Sequence, residues 1–572
     1  MRLRLRLATV RGLGQDCPVR RWNGWGDEDD ETHLSPGVAR FLAMRIGEGR
    51  RPRDASLPDA VAAVTPSRLH AHPLLSLDPE LRVRRARGQS FPDLLALRSG
   101  RLGAVADAVA QPAHGGEVRA LLALAAGTGA SVVPYGGGTS VVGGVTVRPS
   151  GRPVITLDLG SMAGVRAIDE RSGLVTALAG TTGPDLDTVL AGRGLVVGHE
   201  PQSWELATIG GWVAARGSGL RSMGQGRIEQ LFAGGMLEAP AGSFAMPPFP
   251  ASAAGPDLRQ LVLGSEGRLG VLTEVVLRAV PLPDEDRMEA WALPDWERAL
   301  EAARVLARVR PGLSLLRLST PAETATLLAF ADRQARSRAL SAWLRLRGVP
   351  PGWCLLLVGV AGRRRVARAA RAEAASILRS FRGVPVPALA QTWSRTRFRS
   401  PYLRNALWDA GYGADTLETA GDWTRVPVLV ERVEAAITAA LAAEGERVHV
   451  FTHLSHLYPS GSSLYITWLF RLLPDPDATL ARWQSVKRAA SEAIVAAGGT
   501  ISHHHGVGTD HAPYLAAEKG PLGMAALEAV TRVFDPDGLM NPEVLIAREV
   551  AAGAREAAGS APVAVPGGDV VP

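Results

Sequence analysis

The chain has 572 residues, of which 46% are hydrophobic and 21% are charged, and its formal net charge is +7. These proportions are typical of a globular protein and exclude a chain that is disordered, collagen-like or coiled-coil throughout. Two cysteines cannot build a disulfide framework or a cysteine-rich zinc site, which favours a reducing compartment.

The positive charge is carried almost entirely by arginine, because Lys487 and Lys519 are the only lysines. The basic residues are scattered among acidic ones, which argues against a nucleic-acid partner. No apolar run approaches the ~20 residues that a membrane span needs. We therefore expect a cytoplasmic protein, with or without peripheral membrane association, that binds no nucleic acid.

Residues 1–104 are predicted to form an N-terminal extension. Within it, residues 1–21 are expected to be poorly ordered, since they are basic and contain proline and glycine. The following stretch, 21–29, holds Trp22 and Trp25. Because large aromatic side chains bury much apolar surface, we predict that this stretch docks on the body of the protein as a structural anchor.

Residues 105–283 interleave helix and strand patterns. Val118, Leu121, Leu122 and Ala125 repeat at helical spacing, and the glycines that follow are expected to end this helix. Apolar strands come next (131–135, 154–160 and 174–180), then a short helix, and a Pro/Ala/Gly-rich surface loop at 240–257. This order predicts an α/β or α+β domain.

Residues 284–500 are predicted to form a second domain, rich in Ala, Leu and Arg over its first part. Helical patterns run over 361–381, 425–443 and 477–497, and strand patterns return at 446–470. A His-rich segment, 501–550, then leads to 551–572, which we expect to be a disordered tail because it is almost all Ala, Gly, Pro and Val.

Three glycine-rich or small-residue stretches, 134–144, 199–219 and 264–274, carry the first chemical signal. The parts of them used below are segment A (134–140, PYGGGTS), segment B (202–208, QSWELAT), segment C (215–218, ARGS) and segment D (266–272, EGRLGVL), whose limits are those that the family resemblance given next implies. Backbone N–H groups in such segments are unshielded, so they can approach a phosphate or a flat ligand closely. Segment A is not a Walker loop, because no GK[ST] follows it.

In order and spacing, these segments resemble the FAD-binding domain of the vanillyl-alcohol oxidase family over residues 105–280. Together with WNGWG near the start, GHEP at 198–201, LET at 417–419 and SHHHGVG at 502–508, the chain resembles the alkyldihydroxyacetonephosphate synthase family over about 20–545. The resemblance implies an α+β fold: a two-subdomain PCMH-type FAD-binding domain and an α/β substrate (cap) domain.

The same resemblance implies FAD as the cofactor, held by residues of the four segments. Gln202 stands where an acidic residue is typical, and Arg268 replaces a small polar residue. No histidine follows the glycine cluster where some relatives attach the flavin covalently, so we expect non-covalent FAD. The expected contacts are Pro134, Tyr135, Gly136, Gly137, Gly138, Thr139, Ser140, Gln202, Ser203, Thr208, Ala215, Arg216, Gly217, Ser218, Glu266, Gly267, Arg268, Leu269, Gly270, Val271 and Leu272.

The expected proton-transfer residues are Tyr465, in a strand pattern, and three adjacent histidines. In an extended chain His503 and His505 would face one side and His504 the other, which opposes one metal ion held by all three. A histidine beside a flavin can move protons at neutral pH. The resemblance gives the matching tyrosine the role of general acid or base, whereas the alternative is an ordinary half-buried strand aromatic.

Arg404 and Arg317 match arginines of the substrate site in the resembling family, with an ordinary ion pair as the alternative for each. His453 and His456 have a spacing that suits a helix better than the strand expected there. Related hydroxy-acid dehydrogenases carry a metal-binding segment at this point, but this chain has YPSGSS instead. We therefore predict that no metal is bound.

Two functions remain open. The first is the exchange of the acyl group of acyl-dihydroxyacetone phosphate for a fatty alcohol, which makes an ether lipid. The second is the oxidation of a 2-hydroxy acid or an alcohol by an FAD-linked oxidase or dehydrogenase, in which an arginine binds the carboxylate and hydride passes to the flavin. In both, the partner is a small molecule or a lipid; a homodimer and a peripheral membrane contact are compatible with either.

Overall fold

The computed structural model describes residues 19–331 and 334–547; for residues 334–336 it describes the backbone only. The disorder predicted for 551–572 and for most of 1–21 therefore lies outside the described residues. Within the described ranges no helix is long and apolar enough to cross a membrane.

The N-terminal part of the chain contains four short helices, and its tryptophan-containing stretch contacts Asn405 of the second domain. Trp25 is buried. Its backbone N–H donates to Asn405 Oδ1 (3.2 Å), and its backbone carbonyl accepts from Asn405 Nδ2 (2.8 Å). The anchor thus lies against the residue that follows Arg404. The helices here are α1 (Pro36–Ile46), α2 (Leu57–Ala62), α3 (Pro79–Arg84) and α4 (Phe91–Ser99).

The first domain contains a small parallel sheet and a five-stranded antiparallel sheet. Its strands are β1 (Ala108–Ala110), β2 (Ser131–Tyr135), β3 (Val154–Asp158), β4 (Val165–Asp169), β5 (Leu174–Leu178), β6 (Leu195–Val196), β7 (Phe232–Ala239), β8 (Gly242–Met246), β9 (Val271–Arg278) and β10 (Val280–Pro281). Its helices are α5 (Gly115–Thr128), α6 (Gly183–Ala191), α7 (Ile209–Ala214), α8 (Ser222–Gln225), α9 (Ile228–Leu231) and α10 (Arg259–Val262).

The strand orders are β1-β3-β2 in the parallel sheet and β4-β5-β9-β7-β8 in the antiparallel sheet, with β6 and β10 paired separately. Helix α5 ends as predicted at Gly129, which adopts φ +66°, whereas Gly127 lies inside the helix. The predicted surface loop at 240–257 is wrong in part. Gly242–Met246 forms strand β8, because its backbone completes a hairpin with β7.

The second domain is built on one large antiparallel sheet with the order β14-β11-β13-β12-β16-β17-β15. Its strands are β11 (Glu285–Leu293), β12 (Leu315–Ser319), β13 (Cys354–Gly362), β14 (Val384–Pro385), β15 (Tyr412–Asp422), β16 (His449–Leu457) and β17 (Gly461–Arg471). Its helices and the C-terminal helix are α11 (Trp296–Val309), α12 (Pro321–Phe330), α13 (Gln334–Leu346), α14 (Arg364–Ser380), α15 (Pro387–Thr396), α16 (Leu403–Asp409), α17 (Val426–Ala442), α18 (Pro476–Ala496) and α19 (Leu515–Phe534).

The predicted α+β class is confirmed, as are the helices and strands expected in the second domain. The largest core lies between this seven-stranded sheet and the helices that cover it, α11, α14, α17 and α18. The predicted domain limits, 105–283, 284–500 and 501–550, stay predictions. What matters for the site is that the last three strands at one edge of this sheet, β16-β17-β15, lie beside the chain that returns at 501–508.

Candidate active site

Segments A and B lie against each other immediately after strand β2. A Cβ on Gly137 would overlap the carbonyl oxygen of Leu206, and one on Gly136 would overlap the Thr208 hydroxyl. Gly138 adopts φ +65°, a left-handed conformation that favours glycine. The glycines of segment A are therefore required by close backbone packing as well as by any ligand.

Segments C and D each contain one residue with a strained backbone conformation. Arg216 (φ +51°) and Glu266 (φ +50°) are left-handed without being glycine, and such strain tends to occur at functional sites. The Glu266 N–H donates to Ala214 O (2.9 Å), which joins segment D to the chain just before segment C. Asn541 then bridges segment D to the glycines that follow segment A by donating to Glu266 O (2.7 Å) and Gly144 O (2.9 Å).

We call the four segments A to D, where their backbones come together, the cradle. The predicted flavin residues divide into those that line this cradle and those whose side chains lie in the hydrophobic cores. Gln202 donates to Ser400 Oγ, Thr208 caps helix α7 by accepting from Gly211 N (3.3 Å), and Ser140 Oγ accepts from Gly144 N (3.0 Å).

Several members of segment D are turned away from the cradle. Leu269, Val271 and Leu272 are buried in the hydrophobic cores, and the Arg268 guanidinium donates to the Met540 carbonyl. These residues leave at most their backbone for a ligand, because their side chains are already packed or hydrogen bonded.

The four segments fit a dinucleotide such as FAD. They bring backbone of four separate stretches together, and His199, which lies beside Gly217, is buried with both ring nitrogens lacking a hydrogen-bond partner among the described residues. A buried polar ring without a partner costs free energy, which a bound ligand can offset. Burial lowers the pKa of His199 to about 3, so the ring is neutral.

Tyr465 occupies the centre of the second half of the site. In the sheet it lies directly opposite His453 on one side and Glu418 on the other. Its ring stacks on that of His453 (centroids 4.9 Å apart), and its hydroxyl donates to Thr416 Oγ1 (3.2 Å). Burial raises the pKa of Tyr465 to about 12, which keeps the phenol protonated at neutral pH.

The three histidines are not in an extended segment, so the alternation of sides that an extended chain would give them does not apply. Residues 502–505 form a tight bend, in which the rings of His504 and His505 lie beside Tyr465 and the ring of His503 lies beside that of His504. The ring centroids of His503 and His504 are 5.2 Å apart, and those of His504 and His505 are 4.5 Å apart. The reason is Glu418, whose carboxylate accepts the backbone N–H of each histidine and so curls the chain around itself.

The hydrogen bonds of His503 determine its tautomer. Arg227 Nη1 approaches His503 Nε2 at 2.6 Å, and an arginine can only donate. Tyr458 Oη also lies 2.7 Å from Nε2, so this nitrogen accepts and carries no proton. The ring proton of neutral His503 is therefore on Nδ1, from which it points to His504 Nδ1 at 2.9 Å.

His453 and His456 belong to the same cluster, although their spacing did not predict it. A β-bulge lies between Ser455 and Leu457, and His456 in it has φ +50°. The bulge turns the His456 ring toward the site, where Nδ1 lies 3.1 Å from Ser218 Oγ and 2.8 Å from Ser222 Oγ. A flavin segment is thereby joined to the large sheet.

The Arg404 guanidinium lies close to this cluster and is only partly hydrogen bonded. Its Nη1 donates to Gln89 O (2.6 Å), but Nε and Nη2 are buried and have no hydrogen-bond partner within the described ranges. Burial lowers the pKa of the Arg404 guanidinium, and the nearest negative or polar groups, Asp415 and Tyr465, offset this only in part. Such a group can bind a phosphate or carboxylate with two N–H donors.

Arg317, in contrast, is already paired. Its Nη2 lies 2.7 Å from Glu323 Oε1 and its Nη1 3.1 Å from Ser319 Oγ. Glu323 is buried, and its carboxylate also accepts from His453 Nδ1 (2.8 Å). Arg317 therefore reaches Tyr465 only through Glu323 and the stacked His453 ring, which differs from the substrate contact expected for it.

One group of residues, Glu418, His503 and His504, is close enough for a metal ion. Both oxygens of Glu418 accept backbone N–H groups, whose positive ends would repel a cation placed there. His503 Nε2 is likewise taken by Arg227. The donor set is thus already used, and the absence of a metal stays a prediction.

Sequence reasoning missed four members of the cluster. Glu418 lies in the quoted LET motif but was not assigned a role, and Glu323 gave no signal beyond a helix start. Tyr458 begins the quoted YPSGSS segment but was not assigned a role, and Arg227 lies outside every quoted motif. All four become visible only when strands and turns far apart in the chain are brought together.

Comparison with known proteins agrees with this geometry. Residues 106–242 match the family model of the FAD binding domain, and residues 282–545 match that of the C-terminal domain of FAD linked oxidases. An alkyldihydroxyacetonephosphate synthase from Trypanosoma brucei brucei is 30% identical over 82% of this chain and 78% of its own length. The same enzyme from Dictyostelium discoideum is 26% identical over 92% and 93%.

The fold also has a close solved counterpart. A structure of an alkyldihydroxyacetonephosphate synthase superposes with a TM-score of 0.79 at 23% identity, covering 91% of this chain and 98% of that one. At this identity the likeness establishes the fold. The two-domain arrangement and the FAD cofactor predicted from the glycine segments are confirmed by these matches.

Proposed function

The chain belongs to the alkyldihydroxyacetonephosphate synthase family of FAD-dependent enzymes, and we propose that it exchanges the acyl group of acyl-dihydroxyacetone phosphate for a fatty alcohol. The observation that carries this proposal is the juxtaposition of an unfilled arginine, Arg404, with the Tyr465–histidine cluster. A phosphate ester with an acidic C–H group needs both an anion-binding cation and proton-transfer groups.

Segments A to D would hold FAD through backbone N–H groups, and Ser218 would connect the flavin side of the site to His456. When bound, the flavin supplies an electron-accepting ring beside the reacting carbon atoms. The protein contributes binding, orientation and proton transfer around it.

The proton-transfer residues start in defined states. Tyr465, with a pKa of about 12, starts as a proton donor, and burial lowers the pKa of His505 to about 3, so its ring starts neutral and can accept. The Nδ1–H group of His503 points toward Nδ1 of His504. We propose that Arg404 anchors the phosphate while this cluster removes a proton from the adjacent carbon and later returns one.

The reaction can be tested without knowing the physiological chain length. Purified FAD-loaded enzyme is incubated with palmitoyl-dihydroxyacetone phosphate and radiolabelled hexadecanol, while oxygen is followed with an electrode. We expect labelled ether lipid and released palmitate in equal amounts with no oxygen consumption. Oxygen uptake or flavin bleaching with a D-2-hydroxy acid, without ether product, would favour the oxidase alternative instead.

We further propose that the enzyme contacts a membrane peripherally through helix α13. Trp343 and Leu346 are exposed at its C-terminal end, 40% and 86% respectively, close in the chain to the exposed Arg345 and Arg347. An exposed aromatic and an aliphatic side chain flanked by arginines suit the surface of an anionic membrane. Sedimentation with phosphatidylglycerol vesicles, but less with phosphatidylcholine vesicles, is expected, and Leu346→Ser should weaken it.

A further inference from the structure

Glu418 is the most buried charged group beside the histidines. Its side chain is fully buried on strand β15, and it lies opposite Tyr465 in the sheet. Among the residues that the structure describes, no arginine or lysine pairs with it; its ion-pair contacts are with histidine rings alone. A buried carboxylate without a permanent counter-charge is costly unless other groups satisfy it.

Backbone donors satisfy this carboxylate almost completely. Its oxygens accept the N–H groups of His503 (2.6 Å), His504 (2.9 and 3.0 Å) and His505 (2.7 Å), and the hydroxyl of Ser502 (2.9 Å). Burial by itself would raise the pKa of Glu418, but the rings of His504, His505 and His503 hold it well below its usual range. The hydrogen bonds that it accepts from the backbone stabilise the same charged form. Glu418 is thus a permanent anion at the centre of the bend.

The rings are arranged around the anion unequally. The Nδ1 atom of His504 lies 3.2 Å from Glu418 Oε2, and that of His505 lies 3.7 Å from Oε1, whereas that of His503 is 3.9 Å away. His503 is held neutral by Arg227, whose Nη1 approaches its Nε2. His504 is therefore the histidine whose protonated form gains most from Glu418.

We infer that Glu418 is a positioning residue of the proton-transfer site, which bends residues 502–505 into place and supplies the counter-charge for a proton held on His504 during turnover. The part of this inference that concerns turnover rests on the proposed function, whereas the bend of residues 502–505 around Glu418 does not depend on it. The carboxylate need not contact the substrate, because it acts through the histidine, as the carboxylate of a catalytic triad acts on its histidine.

Other titratable groups face the same cluster and enter any pH dependence measured there. They are Tyr465, Tyr458, His453, His456, His503, His505, His511 and Arg227. Burial keeps the pKa of each of these histidines below its usual value, so they are neutral near pH 7. Glu418 is the permanent anion that they share.

The test compares Glu418→Gln with the matched variant Glu434→Gln. Glu434 is a half-buried glutamate of the same domain that accepts a hydrogen bond from Thr452 and lies outside the cluster. Rates are measured from pH 5 to 9 with FAD content and melting temperature recorded for each variant. An opposite charge within ~4–6 Å changes a titration midpoint by about one to three pH units.

We expect Glu418→Gln to lower kcat ~10²–10⁴-fold with FAD retained, and to move the acidic limb of the rate profile to lower pH by about one unit or more. The sign follows because loss of the anion makes a protonated imidazole less stable. Glu434→Gln should leave both the rate and the limb unchanged. A Glu418→Gln enzyme whose limb stays at the wild-type pH would overturn the inference, whatever its rate.

Two measurements keep the inference falsifiable in other circumstances. If Glu418→Gln fails to fold, Glu418→Asp retracts the charge by one methylene and should move the limb less, but in the same direction; no movement overturns the inference. If the wild type makes no ether lipid, the proposed function has failed by itself. Histidine ring signals in NMR titrations of wild type and variant then still report whether Glu418 sets the protonation of residues 503–505.

Discussion

The strongest prediction concerns Arg404, because it separates anion binding from structural pairing. Nε and Nη2 of this arginine are the two donors left free. A charge-assisted hydrogen bond contributes about 1.5–3 kcal/mol. Arg404→Lys keeps the charge but loses the planar fork, so one such bond is lost and KM should rise about 10- to 150-fold.

Arg404→Met removes the charge as well and should raise KM by a further ~10-fold or more. Its effect on stability should nevertheless be small. Removal of a poorly paired buried cation is favourable by about 1–4 kcal/mol, whereas the Gln89 carbonyl loses its donor at a cost of about 1–3 kcal/mol. The two changes largely offset, so the free energy of unfolding should change by no more than about 2 kcal/mol.

A matched control is available in Arg98, a buried arginine that is fully paired. It donates to Asp54 (2.8 Å) and to the Asn23 carbonyl (2.8 Å). Arg98→Met removes the charge-assisted hydrogen bonds to Asp54 and to the Asn23 carbonyl, at about 1.5–3 kcal/mol each, and should destabilise the protein by about 3–5 kcal/mol with KM unchanged.

Urea unfolding and steady-state kinetics on the Arg404 and Arg98 variants decide the matter. The reasoning is refuted if Arg404→Met unfolds as easily as Arg98→Met while its KM for the phosphate substrate stays at the wild-type value. Arg404 would then be a structural residue, and the anion would need another partner, with Arg317 available only if its pairing with Glu323 opens.

Three further predictions test the rest of the site. Gly137→Val should abolish FAD absorbance in the purified protein, because the new side chain collides with backbone, whereas Gly127→Ala, where a Cβ meets nothing, should retain it. Tyr465→Phe and His504→Ala should each lower kcat ~10²–10⁴-fold with FAD retained; wild-type rates would return both to structural roles. Burial raises the pKa of Asp510 from 3.8 to about 7, so the folded protein binds a proton there that the unfolded chain releases, and stability falls as pH rises from about 4 to 7. Asp510→Asn should remove up to about 3 kcal/mol of that fall between pH 5 and 8, measured by urea unfolding; an unchanged pH dependence would contradict it.

The order of helices and strands was predictable, because it depends on local periodicity. The helix at Gly115–Thr128 and the two strands on either side of residues 458–460 follow from spacing alone. Segment A was also visible, since only glycine tolerates the close approach of its backbone to that of segment B. Strand β8 was missed because it begins with Gly242 and is followed by Pro247, and both residue types are poor strand formers. Its pairing with β7 in a hairpin nevertheless makes it a strand.

The identities of Tyr465, the histidines and Arg404 could be taken from motifs, but their relations could not. Periodicity placed His504 on the opposite side from its neighbours, and the buried carboxylate of Glu418, 85 residues away in the chain, bends them together instead. Likewise, a bulge that no local pattern predicts turns His456 into the site.

The sequence by itself thus determined the elements, the cofactor class and the residue types of the chemistry, because these depend on neighbours in the chain. The tertiary structure alone decided which charges are satisfied. Arg317 finds Glu323 and is neutralised, Arg404 finds only a carbonyl and stays available, and His503 is held neutral by Arg227. Pairing of buried charges depends on distances of a few ångströms between remote strands and turns, which no spacing along the chain encodes.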